Sequence, residues 1–402
     1  MKVGGPHEGT RFNAFGEDIF EPEKVEVVIS PESESALAEA VACASGPLRI
    51  QGGGTRPMGN PVVGEVLSAV GLSGITLYEP GALTMVARAG TPLAEIEAAL
   101  AAENQRLAFE PMDHRGLLST DGVPTIGGAV AANVSGPRRI AVGACRDHLL
   151  GVRFVDGSGT VVKNGGRVMK NVTGYDLVKL MAGSYGTLGV LTEVSFKVLP
   201  RPDVTGVVLI EGLADADAVR ALSMALGSPF EVTGAAHTPS GIDGVPVTMI
   251  RIEGFEASVG YRLRELQRLL VGFGKSTVET DPDRTTAGWK WVRDVEAFHG
   301  QPGDVWRLSV KPGDGPAVAA VIGADALLYD WGGGLIWALA AEGTDVRARM
   351  SLPGHATLIR ASDATRAKLR VFHPEPAPLA AISAGLRAKF DPRAVLNPGL
   401  MG

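Results

Sequence analysis

RIQGGGTRP, residues 49–57, places three consecutive glycines directly after a short apolar run. Glycine has no Cβ and readily adopts positive φ, so successive amide N–H groups can converge on an anion such as a phosphate. A tight surface turn would use the same residues. The stretch alone leaves both interpretations open, and the rest of the chain must decide between them.

Composition and charge exclude several classes of protein. The chain has 402 residues, of which 45% are hydrophobic and 20% charged, and its net charge is −6. This length predicts about two or three domains. An acidic chain without basic runs is not expected to bind nucleic acid or an anionic membrane, so a bound phosphate would belong to a small molecule. Because the sequence shows neither a secretion signal nor an apolar run long enough for a transmembrane segment, we expect a cytoplasmic protein.

The cysteine content argues against a metal centre in this chain. Cys43 and Cys145 are the two cysteines, and they lie far apart in the sequence. Iron–sulfur clusters and zinc sites usually need about four ligands, so we expect neither here. Any redox chemistry would then depend on an organic cofactor.

The pattern of apolar residues predicts an α/β beginning and a later change of character. Residues 31–44 read as a helix with acidic residues in its first turn, and residues 91–104 as a helix capped by Thr91 with Pro92 at its first position. Residues 149–163 predict a β-hairpin. After residue 200, strand-like and helix-like segments alternate without an evident repeat, and all five tryptophans lie between Trp289 and Trp337. We therefore place a domain boundary near residue 201.

Small residues are concentrated in four separate segments of the first 190 residues. None of them is a GxGxxG that opens a helix with an acidic residue about 20 positions later, as a Rossmann fingerprint requires. A surface turn explains one such segment, but four indicate a long ligand that lies against several loops. The segments are QGGGT (51–55), TIGGAVAAN (125–133), TGYD (173–176) and GSYGTLG (183–189).

The ordered set of motifs resembles the FAD-binding proteins of the vanillyl-alcohol oxidase / p-cresol methylhydroxylase family, and within it the flavin subunits of bacterial glycolate oxidase. The motifs are QGGGTR, PTIGGAVAANVSGPRRIAVGACRDHLLGVRFVDGSG, KNVTGYDLVKLMAGSYGTLGVLTEVSFKVLP and FDPRAVLNPGLM. The resemblance implies an α+β fold with a two-lobed FAD-binding domain over residues 1–200, a small α/β lobe followed by an α+β lobe. It further implies an α+β cap over 201–385 and a tail, 386–402, that returns to the flavin.

The resemblance also implies which residues contact the cofactor. Gly52, Gly53, Gly54 and Thr55 match the loop whose backbone amides hold the FAD pyrophosphate. A second loop, which contacts phosphate and ribityl, is matched by Thr125, Ile126, Gly127 and Gly128. The segment that passes the flavin is matched by Gly136, Gly143 and Asp147, and the strand along the adenosine by Gly186, Thr187, Gly189 and Val190. Asn397 matches a residue near the isoalloxazine. Neither loop supplies a histidine or cysteine for attachment, so we expect noncovalent FAD.

Catalytic relatives that oxidise hydroxy acids carry a motif resembling HxGDGNxH late in the cap. The corresponding stretch here is LPGHATLIR, residues 352–360, in which His355 is the only histidine and the GDGN segment is absent. His355 is therefore the candidate catalytic base, without its usual partner. A cluster of Trp289, Trp291 and Trp306 with two arginines, Arg293 and Arg307, predicts cap core, an aromatic wall over the flavin or a subunit interface. We favour the core.

These features imply a flavin-carrying subunit of a complex that oxidises glycolate, a small 2-hydroxy acid, to glyoxylate. A hydride would pass from the α-carbon to a flavin, and single electrons would then leave through a separate iron–sulfur subunit. A second flavin subunit is the other expected partner, and any membrane association would be made through the partners. Two alternatives stay open: a self-sufficient FAD-dependent 2-hydroxy-acid dehydrogenase with His355 as base, and a noncatalytic structural subunit.

Overall fold

A small lobe of three parallel strands opens the described part of the chain. The structure is a computed structural model that describes residues 28–167, 174–241 and 243–402. The predictions that fall on residues 1–27 and 168–173, including the start of the first strand and Thr173 of TGYD, lie outside the described residues. The elements of the small lobe are β1 (Val28–Ile29), α1 (Glu34–Cys43), β2 (Leu48–Gln51) and β3 (Glu65–Ser68). Their strand order is β1-β3-β2, and the predicted glycine loop follows β2 directly.

The second lobe is built on an antiparallel sheet of five strands. Its elements are β4 (Ile75–Glu79), β5 (Thr84–Arg88), α2 (Leu93–Ala102), β6 (Gln105–Arg106), α3 (Arg115–Leu118), α4 (Ile126–Ala131), α5 (Arg139–Val142), α6 (Cys145–His148), β7 (Leu149–Val155), β8 (Val161–Gly165), α7 (Leu177–Met181), β9 (Val190–Lys197) and β10 (Leu199–Pro200). The strand order is β4-β5-β9-β7-β8, and β6 pairs with β10. The predicted hairpin is confirmed as β7 and β8.

The start of α2 differs from the prediction. The helix begins at Leu93 with Pro92 as its N-cap, and no side chain caps it. The Thr91 hydroxyl accepts a hydrogen bond from the Gly74 amide at 2.9 Å and donates one to the Arg88 carbonyl at 2.7 Å. Thr91 therefore closes the loop before β4 instead of capping the helix.

The cap is one eight-stranded antiparallel sheet made of two similar halves. The first half contains β11 (Val204–Glu211), α8 (Asp215–Leu226), β12 (Gly234–Thr238), β13 (Val247–Gly254), α9 (Glu256–Leu269) and β14 (Ser276–Glu279), and α10 (Pro282–Asp294) follows it. The second contains β15 (Asp304–Val310), α11 (Gly315–Ile322), β16 (Ala326–Asp330), β17 (Leu335–Ala340), α12 (Val346–Arg349) and β18 (Gly354–Arg360). The strand order is β14-β11-β13-β12-β16-β17-β15-β18.

The strand order is symmetric about the centre of the sheet. When β11, β12, β13 and β14 are matched with β15, β16, β17 and β18, the order is the same counted from either edge. Each half runs strand, helix, strand, strand, helix, strand, and the halves meet where His237 of β12 pairs with Tyr329 of β16. The sequence shows no repeat because the halves share a pattern of elements rather than of residues. One face of the sheet is covered by α8, α9 and α11, and the other packs on α10 and the second lobe.

The last segment returns to the first domain, by which we mean the two lobes together. It contains α13 (Asp363–Arg366) and α14 (Ala377–Phe390), and the Phe390 ring lies 6.0 Å from that of Phe154 in β7. Beyond α14, the Leu48 amide donates to the Val395 carbonyl at 2.7 Å, which aligns the tail with β2. The α+β architecture with a two-lobed first domain and a cap is confirmed, whereas the domain boundaries stay predictions. Among the described helices, none has the length and apolar character needed to cross a bilayer.

A buried network of five charged residues joins the first domain to the cap. Glu253 of β13 accepts from Arg106 at 2.7 Å and from Arg138 at 2.8 Å, both on the first domain. In the opposite direction, Arg251 of β13 donates to both carboxylate oxygens of Glu110 at 3.1 Å. Since Arg251 is only 1% exposed and both carboxylates are buried, these three charges depend on their partners rather than on water.

The arginines keep the two carboxylates ionised. Burial alone would raise the pKa of Glu253, but the charges of Arg251 and Arg138 hold that pKa well below its usual range. The pKa of Glu110 is lowered in the same way. Because the folded-state pKa values are depressed, this stabilisation is complete above the ordinary carboxyl pKa and is lost as pH falls through the folded-state values.

We predict that Glu253→Gln lowers the free energy of unfolding by about 3 kcal/mol at pH 7, because it leaves buried arginines without a counter-charge. The deficit relative to the wild type should shrink as the pH falls below about 4.5, where the wild-type carboxyl of the unfolded chain becomes protonated. Urea unfolding at several pH values measures both effects. The matched control is Glu231→Gln, whose side chain is 85% exposed and pairs with Arg262. Equal losses in the two variants would contradict the network's role.

Candidate functional site

A cavity of about 560 Å³ runs between the small lobe, the second lobe and the tail. The loop after β2 forms one wall, and α4 and the turn before β9 form the others. Arg366 of α13, together with Asn397 and Leu400 of the tail, completes the lining. A volume of this size lies in the range of sites that enclose small molecules and cofactors.

The glycine loop lies backbone to backbone against the segment that leads into α4. A Cβ on Gly53 would stand 1.6 Å from the Val123 carbonyl oxygen, and one on Gly122 would stand 1.8 Å from the Gly53 carbonyl oxygen. Gly54 has φ +72°, a conformation that side-chain-bearing residues rarely adopt. Two of these glycines are thus required by the approach of two protein segments, a reason that does not involve the ligand.

The two glycines of α4 serve different purposes. A Cβ on Gly127 would lie 2.6 Å from the Ala89 Cβ, so this position is closed by the second lobe itself. At Gly128 a Cβ would meet only the Thr125 hydroxyl, at 3.2 Å, although the residue lines the cavity. The Thr125 side chain caps the helix by accepting from the Gly128 amide at 3.2 Å. A side chain at Gly128 would therefore press on the Thr125 hydroxyl and otherwise extend into the cavity.

Asn397 ties three distant segments together at the cavity wall. Its side-chain oxygen accepts from the Ile50 amide at 2.8 Å, and its side-chain nitrogen donates to the Tyr185 carbonyl at 2.8 Å. Its backbone amide donates to the Leu48 carbonyl at 3.0 Å. The residue is 4% exposed, so all of these bonds are sheltered from water.

The structure brings most of the sequence-predicted residues to this cavity. Those that line it come from four of the five predicted regions: Gly52, Gly53, Gly54, Thr55, Thr125, Gly127, Gly128, Gly186, Gly189, Val190 and Asn397. Sequence reasoning missed other lining residues, among them Arg56, Met58 and Tyr185. The signal for Arg56 was available, because it directly follows the glycine loop. Tyr185 gave no signal beyond its place in a glycine-rich segment.

Five predicted residues do not line the cavity. Ile126 is fully buried in the core of the second lobe, and the Thr187 hydroxyl donates to the Ser184 carbonyl at 2.7 Å. Gly136 is wedged against the Glu110 carbonyl oxygen, 2.2 Å from where its Cβ would lie. Gly143 has φ +89°, and Asp147 accepts from the Ala144 amide at 2.9 Å. Each of these five has a structural partner, and a cofactor role for them stays a prediction.

His355 lies outside the residues that line the cavity. It is exposed on β18, the edge strand of the cap sheet, and its ring meets that of His373 with centroids 4.9 Å apart. The Ala356 amide donates to His373 Nδ1 at 3.3 Å. This geometry gives the candidate base no contact with the cavity.

Two arginines, Arg56 and Arg307, act electrostatically on Tyr185 of the cavity wall, and neither side chain is hydrogen-bonded to a carboxylate among the described residues. Arg56 donates to the Gly128 carbonyl at 2.8 Å and to His114 Nδ1 at 3.2 Å. Burial and the nearby Arg56 charge hold the pKa of His114 well below its usual range, so the imidazole is a neutral acceptor. The guanidinium of Arg307 in β15 makes no hydrogen bond or ion pair within residues 28–167, 174–241 and 243–402, although the charge of Asp330 acts on it.

Arg307 of the cap and Tyr185 of the first domain influence each other electrostatically. Burial lowers the pKa of Arg307 to about 10. Burial also raises the pKa of Tyr185, and the charges of Arg56 and Arg307 oppose that shift, which places the phenol under the influence of both cations. Tyr185 adopts φ +52°, so its backbone is held in a strained conformation at this point. Uncompensated cations and backbone strain are typical of binding sites.

Trp331, which also belongs to the cap, packs against Arg307. The Arg307 guanidinium lies 5.1 Å from the Trp331 ring, and that of Arg139 lies 4.5 Å from it. Trp331 also has a positive φ, +53°, and its indole donates to the Gly136 carbonyl at 3.1 Å. Asp330 accepts from the Trp331 amide at 2.7 Å, and burial raises its pKa to about 7. The sequence did not single out either residue.

The tryptophans named from the sequence belong mainly to the core, as we favoured. Trp289 and Trp306 are 4% and 0% exposed. Arg307 instead contacts Trp331 and Trp337, which were not in that group. Among the described residues, no three His, Cys, Asp or Glu side chains are grouped closely enough to hold a metal ion.

Comparison with known proteins assigns this architecture to a family. Residues 25–165 match the FAD binding domain family. The chain is 37% identical over 361 residues to the glycolate oxidase subunit GlcE of Escherichia coli, covering 88% of this chain and 92% of that protein. Glycolate oxidase subunit GlcD of Bacillus subtilis is 41% identical over 81 residues, 20% of this chain and 17% of that one.

Relatives beyond the glycolate oxidases extend the comparison. The mitochondrial D-2-hydroxyglutarate dehydrogenase of Rattus norvegicus is 34% identical over 164 residues, 40% of this chain and 29% of that protein. A solved alkyldihydroxyacetonephosphate synthase has the same fold, with TM-score 0.66, 17% identity and coverage of 92% of this chain and 76% of that one. The resemblance found in the sequence is confirmed, and the chain is an FAD-binding oxidoreductase that belongs to the family of the glycolate oxidase subunit GlcE.

Proposed function

We propose that this chain is the FAD-carrying subunit of a complex that oxidises glycolate to glyoxylate and passes the electrons to a separate iron–sulfur subunit. The observation that carries the proposal is the pair of arginines, Arg56 and Arg307, whose charges act on Tyr185 of the cavity wall and whose side chains make no hydrogen bond to a carboxylate among the described residues. Relatives are named for glycolate, D-lactate and D-2-hydroxyglutarate, which are all 2-hydroxy acids. A small carboxylate is the common feature of these compounds and the natural counter-ion for a guanidinium.

The residues present fit FAD. Gly52, Gly54 and Gly128 present backbone to the cavity, and a Cβ at Gly128 would fill space that nothing else in the protein occupies. When bound, FAD supplies an acceptor for a hydride and an outlet for single electrons. No histidine or cysteine of the described residues lines the cavity, which supports noncovalent binding.

The protein's own contribution to substrate binding would come from charge placed between the two domains. Arg307 is fixed by its contacts with Trp331 and Trp337, so its guanidinium is oriented before any ligand arrives. A substrate carboxylate at this position would replace the missing partner of the cation. Because the cost of burying Arg307 is already met by the fold, the carboxylate gains affinity without further rearrangement.

Two features of the described residues favour an enzyme that works with partner subunits over a self-sufficient one. The described residues offer no metal cluster, and His355 has no contact with the cavity. Both observations favour a complex in which a second flavin subunit and an iron–sulfur subunit complete the chemistry. We also propose that the complex works in the cytoplasm and that any membrane association is made through the partners.

We predict that the purified chain is yellow and releases its FAD into the supernatant on acid precipitation, because no attachment residue lines the cavity. Absorbance spectra of supernatant and pellet make the measurement. Flavin that stays with the pellet would show a covalent link. A colourless chain that cannot be reconstituted with FAD would support a structural subunit.

Gly128→Val is expected to leave a folded chain that no longer binds FAD, because the branched side chain enters the cavity without meeting the protein core. Far-ultraviolet circular dichroism checks folding, and flavin fluorescence checks binding. The matched control is Gly385→Val in α14, another helical glycine with open space at its Cβ. Gly53→Val cannot serve this purpose because its Cβ would collide with the Val123 carbonyl. Full FAD binding by Gly128→Val would contradict the placement of the cofactor.

Arg307→Gln is expected to raise the KM of the assembled complex for glycolate at least about tenfold while leaving its FAD content unchanged, because a charge-assisted contact to the carboxylate is lost. Reduction of dichlorophenolindophenol by glycolate measures the activity. The control is Lys311→Gln, an exposed cation of the same domain. Unchanged kinetics in Arg307→Gln would place the substrate on the partner's flavin.

The isolated wild-type chain is expected to show no meaningful turnover of glycolate. Turnover by the single chain would support the self-sufficient dehydrogenase instead.

A further inference from the structure

A second cavity, of about 440 Å³, lies where the second lobe meets the cap, and it shares no lining residue with the flavin cavity. We propose that this cleft binds a compact anion with two or more negative charges, of the phosphate or polycarboxylate class. Its walls come from both domains: β6 and the segment after β10 on one side, β13 and α10 on the other. A ligand seated here would touch the first domain and the cap at once.

The lining is cationic in a chain whose overall charge is negative. Six basic side chains face three carboxylates, whereas the whole chain carries a net charge of −6. The basic residues are Arg106, Arg138, Arg201, Arg251, Lys290 and Arg293. A concave surface with an excess of one sign concentrates ions of the other.

Most of the carboxylate charge in the cleft is already engaged. Glu110 and Glu253 belong to the interdomain network, in which three guanidinium groups share two carboxylates. The remaining carboxylate, Glu97, makes no hydrogen bond within the described ranges and is exposed at the rim of the cleft. The floor of the cleft is thus left with an excess of positive charge.

Two cations on the walls are poorly compensated. Arg201 donates its Nε to the Gln105 carbonyl at 3.2 Å and has no carboxylate partner in the part of the chain that the structure describes. The Lys290 ammonium is 60% exposed and lies 3.7 Å from Glu296, too far for a good hydrogen bond. Arg293, by contrast, is held by both oxygens of Asp294. Arg201 and Lys290 are therefore the groups with free capacity for a ligand.

Two buried donors of the cleft also lack partners. Arg106 Nε and the indole nitrogen of Trp289 make no hydrogen bond among the described residues, although both atoms are buried. Trp289 is only 4% exposed, and its ring stacks on Arg251 at 4.3 Å. Buried polar groups are nearly always hydrogen-bonded, and the two residues that carry these unpaired donors both line the cleft. The oxygens of a polyvalent anion are acceptors of the kind that these donors lack.

The experiment uses the FAD-loaded full chain and follows thermal unfolding in chloride buffers of constant ionic strength, with phosphate, citrate or no added anion. We expect phosphate or citrate at saturating concentration to raise the Tm by about 3 °C, because binding to the folded state alone stabilises it. A rise in Tm with either anion supports the proposal. The relative size of the two rises distinguishes a phosphate ligand from a polycarboxylate. The FAD content is measured in parallel, so a failure here is distinct from a failure of the proposed function.

The double variant Arg201→Gln/Lys290→Gln tests the location. It should fold, keep its FAD and lose the anion-dependent rise in Tm. The matched control, Arg220→Gln/Lys311→Gln, removes one arginine and one lysine that are 71% and 78% exposed elsewhere on the cap and should keep the full rise. The proposal is overturned if neither anion shifts the Tm more than chloride does, or if the Arg201/Lys290 variant responds like the wild type.

Discussion

The close contact between the glycine loop and the segment before α4 is the constraint on which the rest of the site depends. With 1.6 Å between the Val123 carbonyl oxygen and the position of a Gly53 Cβ, only two bare backbones can lie together there. That contact joins the small lobe to the second lobe and leaves glycine amides along one cavity. Asn397 then closes the same cavity from the far end of the chain through Ile50 and Tyr185.

Much of this could be predicted because local sequence carries it. Gly52–Gly54 follow an apolar strand, Thr125 precedes a run of small residues, and the hairpin around residues 156–159 has turn residues at its tip, so each signal lies within one short segment. The order of those segments then indicated the fold. The sequence could not show why individual glycines are required. Gly53 packs against the Val123 carbonyl and Gly127 against Ala89, and both partners are remote in the sequence.

The features that could not be predicted all depend on tertiary contacts. Arg56 comes near Tyr185 only when the two lobes pack together, and Arg307 only when the cap sheet packs on the second lobe. Nothing near either arginine in the sequence shows that its side chain has no hydrogen-bonded carboxylate. The interdomain pairs of Glu253 and Arg251 are of the same kind. The two halves of the cap repeat an order of strands and helices without repeating residues. His355 shows the converse case, because the motif comparison named as candidate base a residue that lies on an exposed edge strand and does not line the cavity, so its role stays a prediction.

The most direct measurement is native mass spectrometry of the complex purified from its own cells through a tag on this chain, followed by release of single subunits in the gas phase. We expect this chain to leave the complex carrying one FAD, and the remaining particle to contain a second flavin subunit and an iron–sulfur subunit. Release of this chain without FAD from an otherwise intact and active complex would show that the cavity between the lobes does not hold the cofactor.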